Sequence, residues 1–428
     1  MVKIRSTRKW TAALIALFVF VFMPITVDAE EQPVEIRTIG MFDLTGAYSG
    51  LHQLAANAFN DFVTWANSCM HYLPENIKWV HETYDTANDL GKTTAAYQMA
   101  TSKKPIPIIT TGGLTTPSIL AVKPLAVRKK IPCIDASSAR PIVVPPAWTF
   151  SMQPCYEGML AASAQFLRDN WHADTPYKLI RKRYLENKDR NPRISVIGWN
   201  NGFGRGFAQP EAMDYMKKIG VDWVPAEYVP LNPTDTTPNL LRLVEGGADM
   251  VYFGMYAESH ALILKDAARL GVRDKFQDMC FSSDNLIQLR SYAGELANES
   301  MQLTCYRIDS SEWNAITRSM LEKSGLGEVA ALLYSGAFGW CDVYAECIRR
   351  GVKKVGAENL NGAVIYDMIT SLNDYLPMAY NSRVSFSKTR MIGPTDASIY
   401  QVQDGEIVKI VSSIYIPDLL PGGMDVVK

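Results

Sequence analysis

The residues of this chain with the most chemistry to offer are small, hydroxylated and gathered in two places. Thr110, Thr111, Gly112, Gly113, Leu114, Thr115 and Thr116 follow a short apolar run at residues 106–109, and Asp135, Ala136, Ser137 and Ser138 close a second apolar run. Hydroxyls and unencumbered backbone N–H groups hold a small polar molecule by hydrogen bonds. Neither cluster sets a nucleophile beside a base, and neither has metal-ligand spacing. The chemistry on offer is gripping, not transformation. Between the clusters lie residues with helical apolar spacing, so the block reads as strand, helix, strand. In open parallel α/β sheets ligands collect outside the carboxyl ends of the strands, which is where both clusters fall.

Other chemistries are weaker. Gly202-Phe203-Gly204-Arg205-Gly206 follows a strand and opens a helix, but its spacing is G-x-G-x-G and Glu227 falls in mid-strand instead of at a ribose-binding strand end. No nucleotide or other cofactor is expected. The five histidines are scattered without H-E-x-x-H, and neither a G-x-S-x-G elbow nor a Walker loop occurs. Seven cysteines leave at least one unpaired and name no disulfide.

The elements that must position the hydroxyls recur along the chain. Strands are expected at residues 35–41 and 77–82, at the two runs above, and at 194–199, 223–229, 250–253 and 276–281. Helices fall between them at 51–66, 90–101, 157–170, 210–219, 239–245 and 259–270. Alternation of this kind means parallel sheets covered on both faces, and two such series mean two lobes. The basic stretch at 178–193 lacks interleaved aromatics and reads as a solvated surface insertion. A long apolar helix at 329–350 is closed by Gly351 as its cap. Asp404-Gly405 marks a hairpin turn in a strand-rich C-terminal part.

At 428 residues, 47% apolar and 20% charged, the chain has the composition of a globular protein of two domains, and a formal charge of −1 gives no reason to expect a nucleic-acid partner. The N-terminus departs from this. Lys3, Arg5, Arg8 and Lys9 precede an apolar run at 11–27, followed by V-D-A and Glu30-Glu31. The expectation is a secretory signal removed after Ala29, because the run sits at the short edge of the roughly 17–25 residues that span a bilayer. Without a cysteine there, no lipid anchor is expected.

The order I-G-x-F-x-L-T-G, Y-D-T-A-N-D, the block at 106–141, W-T-F-S-M-Q-P, N-N-G-F-G-R-G, G-A-D-M-V-Y-F-G and x-Y-x-V-x-D-G resembles the type I periplasmic solute-binding proteins. Within these it is similar to the leucine/isoleucine/valine-binding group that serves ABC importers. The resemblance covers essentially the whole chain after the signal. It implies an α/β fold of two doubly wound parallel-sheet lobes joined by three crossover strands, here near 150–154, 305–309 and 382–386. Lobe 1 would comprise 30–152 and 308–384, and lobe 2 would comprise 153–307 and 385–428. It also implies a periplasmic monomer that carries no catalysis and docks on ABC permease subunits. The ligand would be a branched-chain or other amino acid, or a related amide or carboxylate. A ligand-sensing module of the same fold is the alternative.

The site is expected in the cleft between lobes. From lobe 1, Tyr48 and Ser49 follow the first strand, Thr115 and Thr116 the third, and Ser137, Ser138 and Ala139 the fourth. The resemblance places ligand-carboxylate contacts at Thr115, Ser137 and Ala139, the last where branched-chain binders have threonine. Thr115 and Thr116 also suit a helix N-cap. Lobe 2 offers Phe203, Tyr256 and the loop holding Ser282 and Asp284. The resemblance makes the aromatics walls and puts an acidic partner for an ammonium near Ser282. Asp284 in the cleft favours an amino acid; its absence favours an uncharged or anionic ligand. Glu258 is the second acidic candidate, or a solvated charge at a helix start.

Overall fold

Short runs rich in valine, isoleucine and methionine become the central strands of two sheets in the computed structural model, which describes residues 32–281, 286–308, 314–325 and 327–427. The expected export segment lies outside these residues. The first sheet contains β1 (Val34–Phe42), β2 (Ile77–Asp85), β3 (Ile109–Thr111), β4 (Cys133–Asp135) and β5 (Thr149–Ser151). It is parallel throughout, in the order β2-β1-β3-β4-β5. The second is built from β6 (Arg193–Trp199), β7 (Asp222–Trp223), β8 (Glu227–Val229), β9 (Met250–Gly254), β10 (Gln277–Cys280), β11 (Met301–Thr304), β12 (Asp396–Gln403) and β13 (Glu406–Tyr415). Its order is β13-β12-β11-β10-β9-β6-β7, with β8 also on β6, and only the two pairings of β12 are antiparallel. The β12–β13 hairpin turns at Asp404 and Gly405, with φ of 49° and 82°.

Strand order reverses between β1 and β3 in the first sheet and between β6 and β9 in the second. Such switch points part the loops on either side and open a crevice at the strand ends. The chain that feeds the second sheet leaves β5 through Gln153, whose Nε2 donates to the Tyr306 hydroxyl at 3.0 Å, while the Tyr380 hydroxyl donates to the Met152 carbonyl at 3.1 Å. Residues of two expected crossover regions, 150–154 and 305–309, therefore meet Tyr380, two positions before the third, in one buried knot.

Three local readings are corrected. The long helix runs Glu328–Val355, straight through Gly351, and ends at Gly356. Gly351 serves packing, since a Cβ there would lie 2.4 Å from Leu360 Cδ1. The strand expected at 223–229 is two short strands, β7 and β8, because Pro225 between them has no N–H for the ladder. The basic stretch is not a solvated insertion. It contains the helix Lys178–Glu186, and Arg183 and Arg190 both ion-pair with the fully buried Asp249. Among the described residues, no helix is long and apolar enough to cross a membrane.

Candidate functional site

A cavity of about 180 Å³ opens where the two switch points face each other. Tyr48, Asn88, Leu114, Thr115, Thr116, Pro117 and Ser137 line it from the loops of the first sheet, and Trp199, Asn201, Phe203 and Tyr256 from those of the second. Tyr156, the first residue of the helix Tyr156–Asp169, closes one side. A deeper chamber of about 30 Å³ shares Leu114, Ser137, Tyr156, Phe203 and Tyr256 and continues to His52, Gln153, Phe281 and Trp340. Together they have room for a small solute, about half a dozen waters' worth in the outer part.

One wall is aromatic. Trp199 and Tyr256 meet edge to face with ring centroids 5.1 Å apart, and Phe203 stands 5.8 Å from Tyr256 and 4.7 Å from Phe281. Tyr48 reaches across from the first sheet, 6.2 Å from Trp199 and 6.4 Å from Tyr256. Glycines make this packing possible. A Cβ on Gly204 would come within 2.2 Å of the Trp199 carbonyl, and one on Gly206 within 2.6 Å of the Tyr156 ring. The G-x-G-x-G loop is thus a close-packed support for two cavity rings.

The facing wall is hydroxylic. Thr116 Oγ1 and Ser137 Oγ are 2.9 Å apart, and Ser137 Oγ lies 3.0 Å from the Tyr156 hydroxyl, giving a chain of groups that both donate and accept. Burial raises the Tyr156 phenol to about 12, against the hydrogen bonds from Ser137 and Thr116, so it stays protonated. Behind this wall sits Asp135, 1% exposed. Its Oδ2 accepts from the N–H groups of Gly112 (2.8 Å) and Leu114 (3.2 Å), and its Oδ1 from those of Ala136 (2.7 Å) and Ser137 (3.2 Å).

The family model described as "Periplasmic binding protein" matches residues 38–406. The chain belongs to the periplasmic binding protein family. Among curated protein sequences none matches significantly. Solved structures agree on the fold. A branched-chain amino acid ABC transporter protein from Thermus thermophilus, with bound valine, superposes with a TM-score of 0.76 at 19% identity, covering 89% of this chain and 97% of that one. A leucine-binding protein from Thermotoga maritima gives 0.67 at 16%, covering 89% and 99%. A solute-binding protein of an ABC transporter from Rhodopseudomonas palustris BisB5, in complex with 3,4-dihydroxybenzoic acid, gives 0.66 at 15%, covering 89% and 98%. At these identities the likeness concerns the fold, which is the type I arrangement of parallel sheets.

In this periplasmic binding protein, Tyr48, Thr115, Thr116, Ser137, Phe203 and Tyr256 stand together around the cavity. Thr115 is also the N-cap of the helix Thr116–Lys129, its Oγ1 accepting from Ser118 N at 3.4 Å. Ser49, Ser138 and Ala139 are not among the lining residues of either chamber. The Ser138 hydroxyl is fully buried and donates to the Pro154 carbonyl at 2.5 Å, and Ala139 caps the short helix Arg140–Val143. Glu258 is exposed and accepts from the Tyr292 hydroxyl at 3.4 Å, as a solvated helix-start charge does. Ser282 and Asp284 lie outside the described residues.

Sequence reasoning passed over Trp199, Tyr156 and His52. The available signals were modest: Trp199 ends a strand, Tyr156 starts a helix, and His52 lies one helical turn after Tyr48, on whose ring it stacks at 5.8 Å. His52 Nδ1 accepts from Asp43 N at 3.0 Å. Burial lowers its pKa from 6.5 to about 4 despite the nearby Asp43, so near neutral pH the ring is uncharged with its proton on Nε2. Folding then favours the neutral ring. That contribution is complete above pH 6.5 and is lost as pH falls from 6.5 towards 4. At pH 5 the loss is on the order of 2 kcal/mol. In urea titrations at pH 7.5 and 5.0, His52→Asn is expected to lose less stability between the two than the wild type does, by about that amount. Burial also depresses His81, which is present in both proteins, so its contribution cancels in the difference. Equal losses would exclude a buried, neutral His52.

Proposed function

We propose that this protein is the substrate-binding component of an ABC importer and closes on a small polar solute held between its two sheets. The ligand classes that the family likeness suggests are a branched-chain or other amino acid, or a related amide or carboxylate. The observation that carries the reading is the convergence of the loops after six strands, β1, β2, β3, β4, β6 and β9, on one cavity whose opposite walls come from different sheets. A solute there touches both halves, so it binds the shut form better than an open one and shifts the population towards closure. Arg140 ties the halves in the same way. Its guanidinium meets Glu211 at 2.7 Å and the buried Glu157 at 3.3 Å, both on helices packed with the second sheet. In the proposed boundaries, 30–152 with 308–384 forms one moving body and 153–307 with 385–428 the other.

The basic and apolar N-terminus ending in V-D-A supports export, with the mature protein beginning near Glu30 and working in the periplasm. From there it would hand its solute to membrane permease subunits that read the closed form of both lobes. The test is a thermal-shift screen over amino acids, short amides, ureas and carboxylates. A true ligand at 100 times its dissociation constant is expected to add about 2.7 kcal/mol of stability. A screen in which no small molecule raises Tm removes solute binding as the function.

A further inference from the structure

A ligand carboxylate entering between parallel sheets is ordinarily met by backbone N–H groups at strand ends and helix starts. Here four of those groups are already engaged. The N–H groups of Gly112, Leu114, Ala136 and Ser137, which follow β3 and β4 at the cavity, all donate to the carboxylate of Asp135. At the start of the helix Thr116–Lys129, Pro117 has no N–H and that of Ser118 goes to Thr115 Oγ1. The protein's own buried carboxylate takes four backbone donors that a ligand's would otherwise use.

The rest of the lining points the same way. Among the described residues, none that lines either chamber carries a formal charge near neutral pH: the groups present are hydroxyls, amides, a neutral imidazole and rings. Electron-rich ring faces offer nothing to an anion. The Thr116–Ser137–Tyr156 chain both donates and accepts, which matches a neutral group that does the same. Asp135 is ionised at pH 7.5, since burial lifts its pKa only to about 6 against four N–H bonds. A second carboxylate would face that charge across the Ser137 backbone in a site with little water to screen it.

We infer that the cavity takes an uncharged ligand, an amide-, urea- or hydroxyl-bearing molecule with a flat or branched apolar body, and turns carboxylates away. This rests on the solute-binding reading above and names the ligand class of that same cavity.

Matched pairs decide it on the wild-type protein: benzamide against benzoate, and isovaleramide against isovalerate and L-leucine, by calorimetry at pH 7.5. The neutral member is expected to bind about 100-fold more tightly, the scale of a like-charge clash in a desolvated site. A carboxylate or leucine that binds as well as its neutral partner overturns the inference while leaving solute binding intact. No binding by any member, together with a blank thermal-shift screen, removes the solute-binding reading and the inference with it. Asp135→Asn supplies a second measurement. Once circular dichroism shows it folded, the preference for the neutral member is expected to shrink at least about tenfold, because a charge is gone and N–H groups are released. An unchanged preference in the folded variant overturns the role of Asp135. A variant that does not fold leaves the decision to the wild-type pairs.

Discussion

Asp249→Ala is expected to lower the unfolding free energy by about 3–5 kcal/mol, the scale seen when one partner of a buried ion pair is removed. Asp249 is fully buried immediately before β9. Its Oδ1 accepts from Arg183 Nε and Arg190 Nη2, each at 3.0 Å, and its Oδ2 from Arg190 Nη1 at 2.6 Å and Arg193 N at 2.9 Å. Truncation leaves two largely buried guanidinium groups facing a hole. Glu186 still meets Arg183 at 2.7 Å, but from a half-exposed position on the same helix. The measurement is a urea titration, in which the midpoint falls and the slope is kept. A loss under about 1 kcal/mol would show that the arginines find water at no cost. Ligand affinity is expected to survive in the folded fraction, because Asp249 stands at the amino end of β9 and Tyr256 at the carboxyl end. Stability and binding are thus separable along a single strand.

The same cluster shows what a sequence can and cannot disclose. Arg183 and Arg190 look solvated because their partner lies 66 and 59 positions away, and no local pattern reports a pairing over that distance. The strands were legible for the opposite reason. Parallel strands covered on both faces are near-continuous apolar runs, so β6 and β9 stand out without any knowledge of their neighbours. Punctuation was intermediate. Asp404-Gly405 could only be a turn, whereas Gly351 serves equally as a helix end or as a gap for Leu360, and only the packed structure separates the two.

The candidate site divides in the same way. Thr115, Thr116 and Ser137 were legible as small polar residues after apolar runs. Trp199 and Tyr156 were not, because a ring beside a strand reads as core. Asp135 could be seen but its role could not. The sequence shows only a carboxylate closing an apolar run, and the four N–H groups around it show that it faces the protein. The glycines at 202–206, which first suggest a phosphate loop, instead bring backbone close under Trp199 and Tyr156.

Tyr256→Ala is expected to weaken ligand binding by about 2–4 kcal/mol, or roughly 30- to 1,000-fold, the range for an aromatic anchor at the centre of a binding site. The ring touches both halves of the wall: Trp199 at 5.1 Å, Phe203 at 5.8 Å and Phe281 at 5.8 Å on its own sheet, and Tyr48 at 6.4 Å from the other. Removing it widens the cavity and takes away the ring that meets Tyr48 from the other sheet, so both affinity and the closing equilibrium suffer. Folding stability should change much less, because Tyr256 is only half-buried. Tyr256→Phe keeps the ring and is expected to stay within about threefold of wild type if the wall acts through area and π faces, as an apolar ligand body requires. Thr115→Ala gives the contrasting result on the opposite wall: loss of the N-cap costs about 1 kcal/mol of stability along with any hydroxyl contact to the ligand. Calorimetry with the best ligand from the screen, alongside thermal melts, separates the two. A Tyr256→Ala protein that binds as tightly as wild type would mean that the solute sits elsewhere, and the convergence of strand ends on this cavity would lose its functional meaning.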